Sequence, residues 1–204
     1  QDRTVYVDGT RGNPGDQYLI VGPNGTYFDS TAQTNKPREG ISFMKYDLSG
    51  LSVDPADIER VDLQVYEGSG SYNTARVDLQ LVMSDWNEAT VDSNQRFEIN
   101  EYYAGNDCVY ISQSGTKNFN ITTMMTSHLI TEQGRPGGLP NYGFALRTNS
   151  TTSRKDFCSS EHSTLSFRPR LVIQYRDPCP PSSIGLSTDK AYWIRPYNTN
   201  LYLC

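Results

Sequence analysis

The sequence predicts an all-β fold: a two-sheet antiparallel β-sandwich of jelly-roll type, with one short helix and an extended C-terminal tail. Three observations point there. Apolar and polar residues alternate with period two in run after run, which marks strands with one buried face. Turn formers punctuate those runs, with 16 Gly and 11 Pro among 204 residues. The chain also holds 14 Tyr, a residue that favours strands. A chain of this length buries roughly 70% of the surface it exposes when unfolded, so one full core is available.

Taken in order, the predicted strands cover 4–8, 18–21, 41–47, 61–66, 77–81, 109–112, 143–147 and 170–175. Val61-Asp62-Leu63-Gln64-Val65-Tyr66 alternates most cleanly. Val77-Asp78-Leu79-Gln80-Leu81 repeats the pattern beyond the turn signal Gly68-Ser69-Gly70-Ser71, and the two runs read as a hairpin. Only 122–130 reads as helix. Met125 and Leu129 share one side at i, i+4 spacing, with Met124 and Ile130 beside them, and Thr122 or Thr123 stands at the N-cap. Gly134 and Pro136 stop it, giving two turns that would close one end of the sandwich. Pro178-Cys179-Pro180-Pro181 is a run that no strand crosses, so the body is 1–176 and a Pro/Tyr-rich extension follows at 177–204.

Composition narrows the function classes. The net charge is −5 and no run of Lys or Arg is longer than two, so a nucleic-acid footprint is missing. No apolar run is long enough for a membrane-spanning helix. Four cysteines without a C-x-x-C pair argue against zinc ribbons and thioredoxin-like redox sites. The chain begins at Gln1, as the mature product of a secreted precursor would, and an extracellular location is the expectation.

Six segments carry a family resemblance: ISFMKYDLSGL at 41–51, IERVDLQVY at 58–66, DWNEATV at 85–91, FNITT at 119–123, NYGFALR at 141–147 and FCSSEHSTLSFRPRLVIQY at 157–175. In order and spacing they resemble the DNRLRE-type secreted β-sandwich domains, over nearly all of 4–175. The resemblance implies a jelly-roll fold, secretion and a non-catalytic role. Similar modules include binders of alginate-like acidic polysaccharides that use clustered Lys and Arg on a sheet face, and the matching candidates here are only Lys36, Arg38 and Lys45.

Other constellations divide between chemistry and plain structure. Trp86 beside Glu88 could form a stacking platform for a sugar ring, against a reading in which Trp86 caps the core and Glu88 ties down a loop. A glycosidase needs two carboxylates flanking one bond; Asp85, Glu88 and Glu161 supply the groups, but their spacing places no pair. Glu161 reads instead as a buried or half-buried anchor. His128 and His162 read as solvent-facing, so no nucleophile gains a base and no enzyme is expected. No cofactor or metal is expected either, with calcium on Asp8, Asp16 or Asp29 as the one alternative. Asn24, Asn120 and Asn149 open N-glycosylation sequons, Asn24 and Asn149 being favoured by their turn-rich surroundings.

Two disulfides are expected, Cys108–Cys158 within the body and Cys179–Cys204 bracketing the tail. Tyr192, Trp193, Ile194, Tyr197, Leu201, Tyr202 and Leu203 crowd into the tail, which is too short to bury them alone. They must pack on their own body or on a neighbour. The expectation is therefore a structural protein that polymerises with its own copies into an extracellular filament or matrix. The alternative is a carbohydrate-binding module for an extracellular, acidic polysaccharide.

Overall fold

The computed structural model describes residues 1–6, 10–13, 15–48, 54–70, 73–89, 91, 108–126, 141–148, 150–176 and 191–194. It is all-β, as the alternation requires. Strands β1 (Asp2–Tyr6), β2 (Tyr18–Asp29), β3 (Thr34–Met44), β4 (Ile58–Gly70), β5 (Ala75–Leu81), β6 (Cys108–Ile111), β7 (Gly115–Asn120), β8 (Phe144–Thr148), β9 (Lys155–Cys158), β10 (Arg170–Tyr175) and β11 (Ala191–Ile194) form one continuous antiparallel sheet. The strand order is β11-β10-β4-β9-β2-β3-β8-β5-β6, with β1 beside β3 and β7 beside β4. The sheet folds over on itself, so that its two halves face each other as a sandwich. Leu19, Val61, Leu63, Val65, Phe119, Phe157, Leu171 and Ile173 from one half meet Met44, Val77, Leu79, Leu81, Ile111, Phe144 and Leu146 from the other.

The fold-over happens inside β2. Its first half pairs with β9 through Tyr18–Val21, and its second half pairs with β3 from Gly22 onward. Gly22 makes the turn at φ +100°, where a Cβ would stand 2.8 Å from the Ser153 carbonyl oxygen. Only glycine fits both the conformation and the space.

A smaller cluster covers the outer side of β3 and β8. Val5, Ile41, Phe43, Val82, Trp86, Val91 and Ala145 pack there, so β3 is buried on both faces around Phe43 and Met44.

One expectation about the fold changes. The runs 61–66 and 77–81 do not form a hairpin: β4 pairs with β10, β7 and β9, while β5 pairs with β6 and β8 in the other half. Gly68, Ser69 and Gly70 of the expected turn belong to β4 itself, where Ser69 and Gly70 pair with Asp156 and Lys155 of β9. The expected helix starts where the sequence puts it, with α1 at Thr122–Met124. Met124 and Met125 point into the core as the pattern demands, and Thr122 Oγ1 accepts the Val61 N–H at 2.9 Å. Leu129, Ile130 and His128 lie outside the described residues. β7, β9 and β11 were not read from the sequence. β11 carries Tyr192, Trp193 and Ile194 of the expected extension, and at these residues the extension is an edge strand of its own body's sheet.

Cys108 and Cys158 carry free thiols, so the expected bridge between them is not formed. Cys108 stands on the edge strand β6 opposite Asp78, and Cys158 stands on β9 opposite Tyr18, in the other half. Cys179 and Cys204 lie outside the described residues.

Candidate functional site

Two surface features stand out, and both grow from the β2–β3 hairpin. The first is its outer part. Beyond the sandwich, Thr26↔Pro37, Tyr27↔Lys36, Phe28↔Asn35 and Asp29↔Thr34 pair as a two-stranded ribbon, and no third strand joins it among the described residues. Its tip is closed by local chemistry: Asp29 Oδ1 accepts the N–H groups of Thr31 and Ala32 at 2.9 and 3.0 Å, and Gln33 adopts φ 51°. Lys36 lies 2.5 Å from Asp29 Oδ2. That contact, with the two backbone donors, lowers the Asp29 carboxyl to about 2. Phe28 is 60% exposed on this ribbon.

The second feature is a polar corner where β1, β2, β3 and β9 meet. Arg38 lies with its guanidinium carbon 3.9 Å over the Tyr6 ring and donates to Thr10 Oγ1. Asn24 Nδ2 donates to Tyr6 Oη at 3.1 Å, and Arg154 Nη1 donates to Asn24 Oδ1 at 2.6 Å. Arg154 also grips Asp156 with two bonds of 2.5 and 2.9 Å. Burial raises the Tyr6 hydroxyl above its ordinary value, against the pull of Asn24, Arg38 and Arg154. Two guanidinium groups, one phenol and one amide thus converge from β1, β2, β3 and the residue just before β9, a donor-rich set suited to a carboxylated ligand.

The remaining candidates fall elsewhere. Lys36, Arg38 and Lys45 do not share one patch: Lys36 holds Asp29, Arg38 covers Tyr6, and Lys45 sits 3.1 Å from Asp85. Trp86 is 4% exposed, tilted against Phe43 at 5.4 Å, with its indole N–H donated to the Tyr142 carbonyl at 2.6 Å. Its ring therefore belongs to the second apolar cluster, and it offers no open face for stacking. The Glu88 carbonyl accepts from Arg3, which fastens this loop to β1. Glu161 is exposed, contrary to its reading as a buried anchor.

His162, expected in solvent, is buried. Its ring meets Tyr18 edge-on at 5.5 Å and Phe167 at 5.6 Å, and Nδ1 accepts the Thr164 N–H at 3.1 Å. Phe167 in turn stacks on Tyr66 at 3.8 Å. These rings pin the 159–169 connection to β2 and β4.

Asp16 accepts from Asn13 and Asp29 from the ribbon tip, and no group of three His, Cys, Asp or Glu comes together among the described residues. Asp8 lies outside them, as do Asn149, Tyr197, Leu201, Tyr202 and Leu203. Of the sequons, Asn24 is half-buried with both amide atoms bonded. Asn120 is exposed, its Oδ1 accepting from Thr122 N and Oγ1 at 3.1 and 2.7 Å. Of these two, Asn120 is the more accessible.

Inward-facing charge was missed altogether. Glu67 and Lys155 are both buried at one end of the sandwich, on the faces that carry Val65 and Phe157. Burial raises the Glu67 carboxyl and lowers the Lys155 ammonium, each being partly offset by the other. The signal was present in the sequence, since Glu67 continues the inward positions 61, 63 and 65 of β4. No family model matches the chain, and no curated protein matches it. Its function has to be argued from its own residues.

Proposed function

We propose that this chain is a non-catalytic, secreted structural protein whose copies associate into an extracellular filament or matrix. The observation that carries this reading is the β2–β3 ribbon. A two-stranded hairpin is marginal in water unless a third strand or a covering layer supports it. Here 26–37 has neither among the described residues, and it holds Phe28 largely in solvent. A neighbouring copy would supply the missing layer. A ribbon that grips a different surface on the next copy makes a heterologous contact, which propagates as an open chain unless the rotation closes it.

Sedimentation velocity of the full chain, of Phe28→Ser and of a chain truncated after Arg176 tests this over a wide concentration range. Concentration-dependent association of the full chain, weakened by Phe28→Ser without loss of β-sheet signal, is the expected result. A full chain that stays monomeric at millimolar concentration removes the proposal.

A second reading has its own observation. The corner of Arg38, Tyr6, Asn24 and Arg154 suits the carboxylates of an acidic polysaccharide, in keeping with the resemblance to DNRLRE-type domains. Titration calorimetry with a polyuronate should then give salt-dependent binding that Arg154→Ala weakens at least tenfold. Unchanged binding in that variant would remove the corner as the site.

A further inference from the structure

We infer that β11 is an exchangeable strand: Ala191–Ile194 of one copy seats on β10 of a second copy in the register it takes on its own. This deepens the assembly reading and rests on it. β11 ends the strand order, and its only partner among the described residues is β10, through Leu171↔Ile194, Val172↔Trp193, Ile173↔Tyr192 and Gln174↔Ala191. The edge of β10 presents the same N–H and C=O groups to a strand from either chain. The ladder energy is thus equal in the two arrangements, and the connection decides between them.

That connection is long for its task. Antiparallel neighbours in a hairpin need only 2–5 intervening residues. Here β10 ends at Tyr175 and β11 begins at Ala191, so 176–190 intervene. About fifteen residues extend to roughly 50 Å, while a body of about 200 residues is roughly 40 Å across. A neighbour's edge is therefore within reach.

Concentration sets the balance. A tether of this length sets the effective concentration of β11 at its own β10 at about millimolar. Exchange is minor in dilute solution and dominant where copies are packed at or above that level, as within a matrix. Reciprocal exchange closes a dimer, and serial exchange builds an open chain.

The test uses two full-length chains, one carrying Gln174→Cys and the other Ala191→Cys. Gln174 is exposed and directly opposite Ala191, and opposed antiparallel residues lie within disulfide range. In a mixture of the two, a 174–191 disulfide forms only between chains. Oxidation at about 1 mM followed by peptide mapping should yield that link in a covalent heterodimer. The link should fall at least tenfold at micromolar concentration, where the double variant should close it within one chain.

Oligomers in sedimentation without the 174–191 link would overturn exchange and leave assembly through another surface. Monomers at 1 mM would overturn both readings. Failure of the double variant to close in dilute solution would overturn the register itself.

Discussion

Replacing Trp86 with alanine distinguishes a core tryptophan from a sugar platform. The ring is buried beside Phe43 and its N–H is spent on the Tyr142 carbonyl. A buried tryptophan removes about 200 Å² from water. At about 25 cal/mol per Å² this is about 5 kcal/mol as an upper bound, part of which alanine retains. Loss of the indole N–H leaves the Tyr142 carbonyl short of a donor, at a cost of about 1 kcal/mol or more. Together these give an expected destabilisation of about 4 kcal/mol, within the range for large core aromatics cut to alanine. Trp86→Phe keeps most of the packing but not the donor, and should cost about 2 kcal/mol. Urea unfolding followed by far-UV circular dichroism reads both values, because the signal does not depend on the tryptophan that is removed. A loss below about 1 kcal/mol for the alanine variant would refute the core assignment. So would a weakened polyuronate affinity with an unchanged unfolding midpoint.

Three further outcomes are expected. Gly22→Ala should destabilise by about 1–3 kcal/mol, since the bend of β2 needs positive φ and leaves no room for a Cβ; an unchanged thermal midpoint would contradict this. Burial raises the Asp2 carboxyl to about 6, against the opposing hydrogen bonds from Ser160. A raised acid favours the native state while it is protonated, so stability is full below about pH 4 and is lost as pH rises through 6. The loss amounts to about 3 kcal/mol at most, and Asp2→Asn should flatten that slope in urea midpoints measured from pH 4 to 7. Cys158 is buried, and burial together with Glu67 pushes its thiol up to about 11. Iodoacetamide at pH 7.5 should therefore label Cys158 only after unfolding, as followed by peptide mass.

The strands most easily read from the sequence are those with an unbroken run of apolar inward residues. β4 and β5 alternate without exception over 61–65 and 75–81, and both stand where the pattern puts them. β9 was missed because its inward positions hold Lys155 and Phe157 and its outward ones hold Asp156 and Cys158, which breaks the apolar alternation. β7 was missed for the same reason, with Lys117 two residues before the buried Phe119. A different regularity marks β4, β5 and the start of β9. Arg60-x-Asp62, Arg76-x-Asp78 and Arg154-x-Asp156 each place an ion pair on one strand face, at 2.6, 2.6 and 2.5 Å. An i, i+2 charge pair reports an extended backbone even where hydrophobic contrast is weak.

Strand partnership is the harder part, because alternation fixes which side a residue faces and not which strand lies beside it. The 61–66 and 77–81 runs satisfy every local condition for a hairpin, yet the chain crosses between halves of the fold after Gly70. What decides the matter is non-local. β4 gains β10 on one side and β7 on the other, strands that arrive about 110 and 50 residues later respectively, and their apolar faces complete the core around Leu63. The same logic bears on the edges. Where a strand finds its last neighbour is set by which strands remain unpaired once the core is full. At β10 that neighbour is a four-residue strand tethered by 176–190. An edge completed so late, by so short a strand on so long a connection, is the one that the proposed exchange between copies would use.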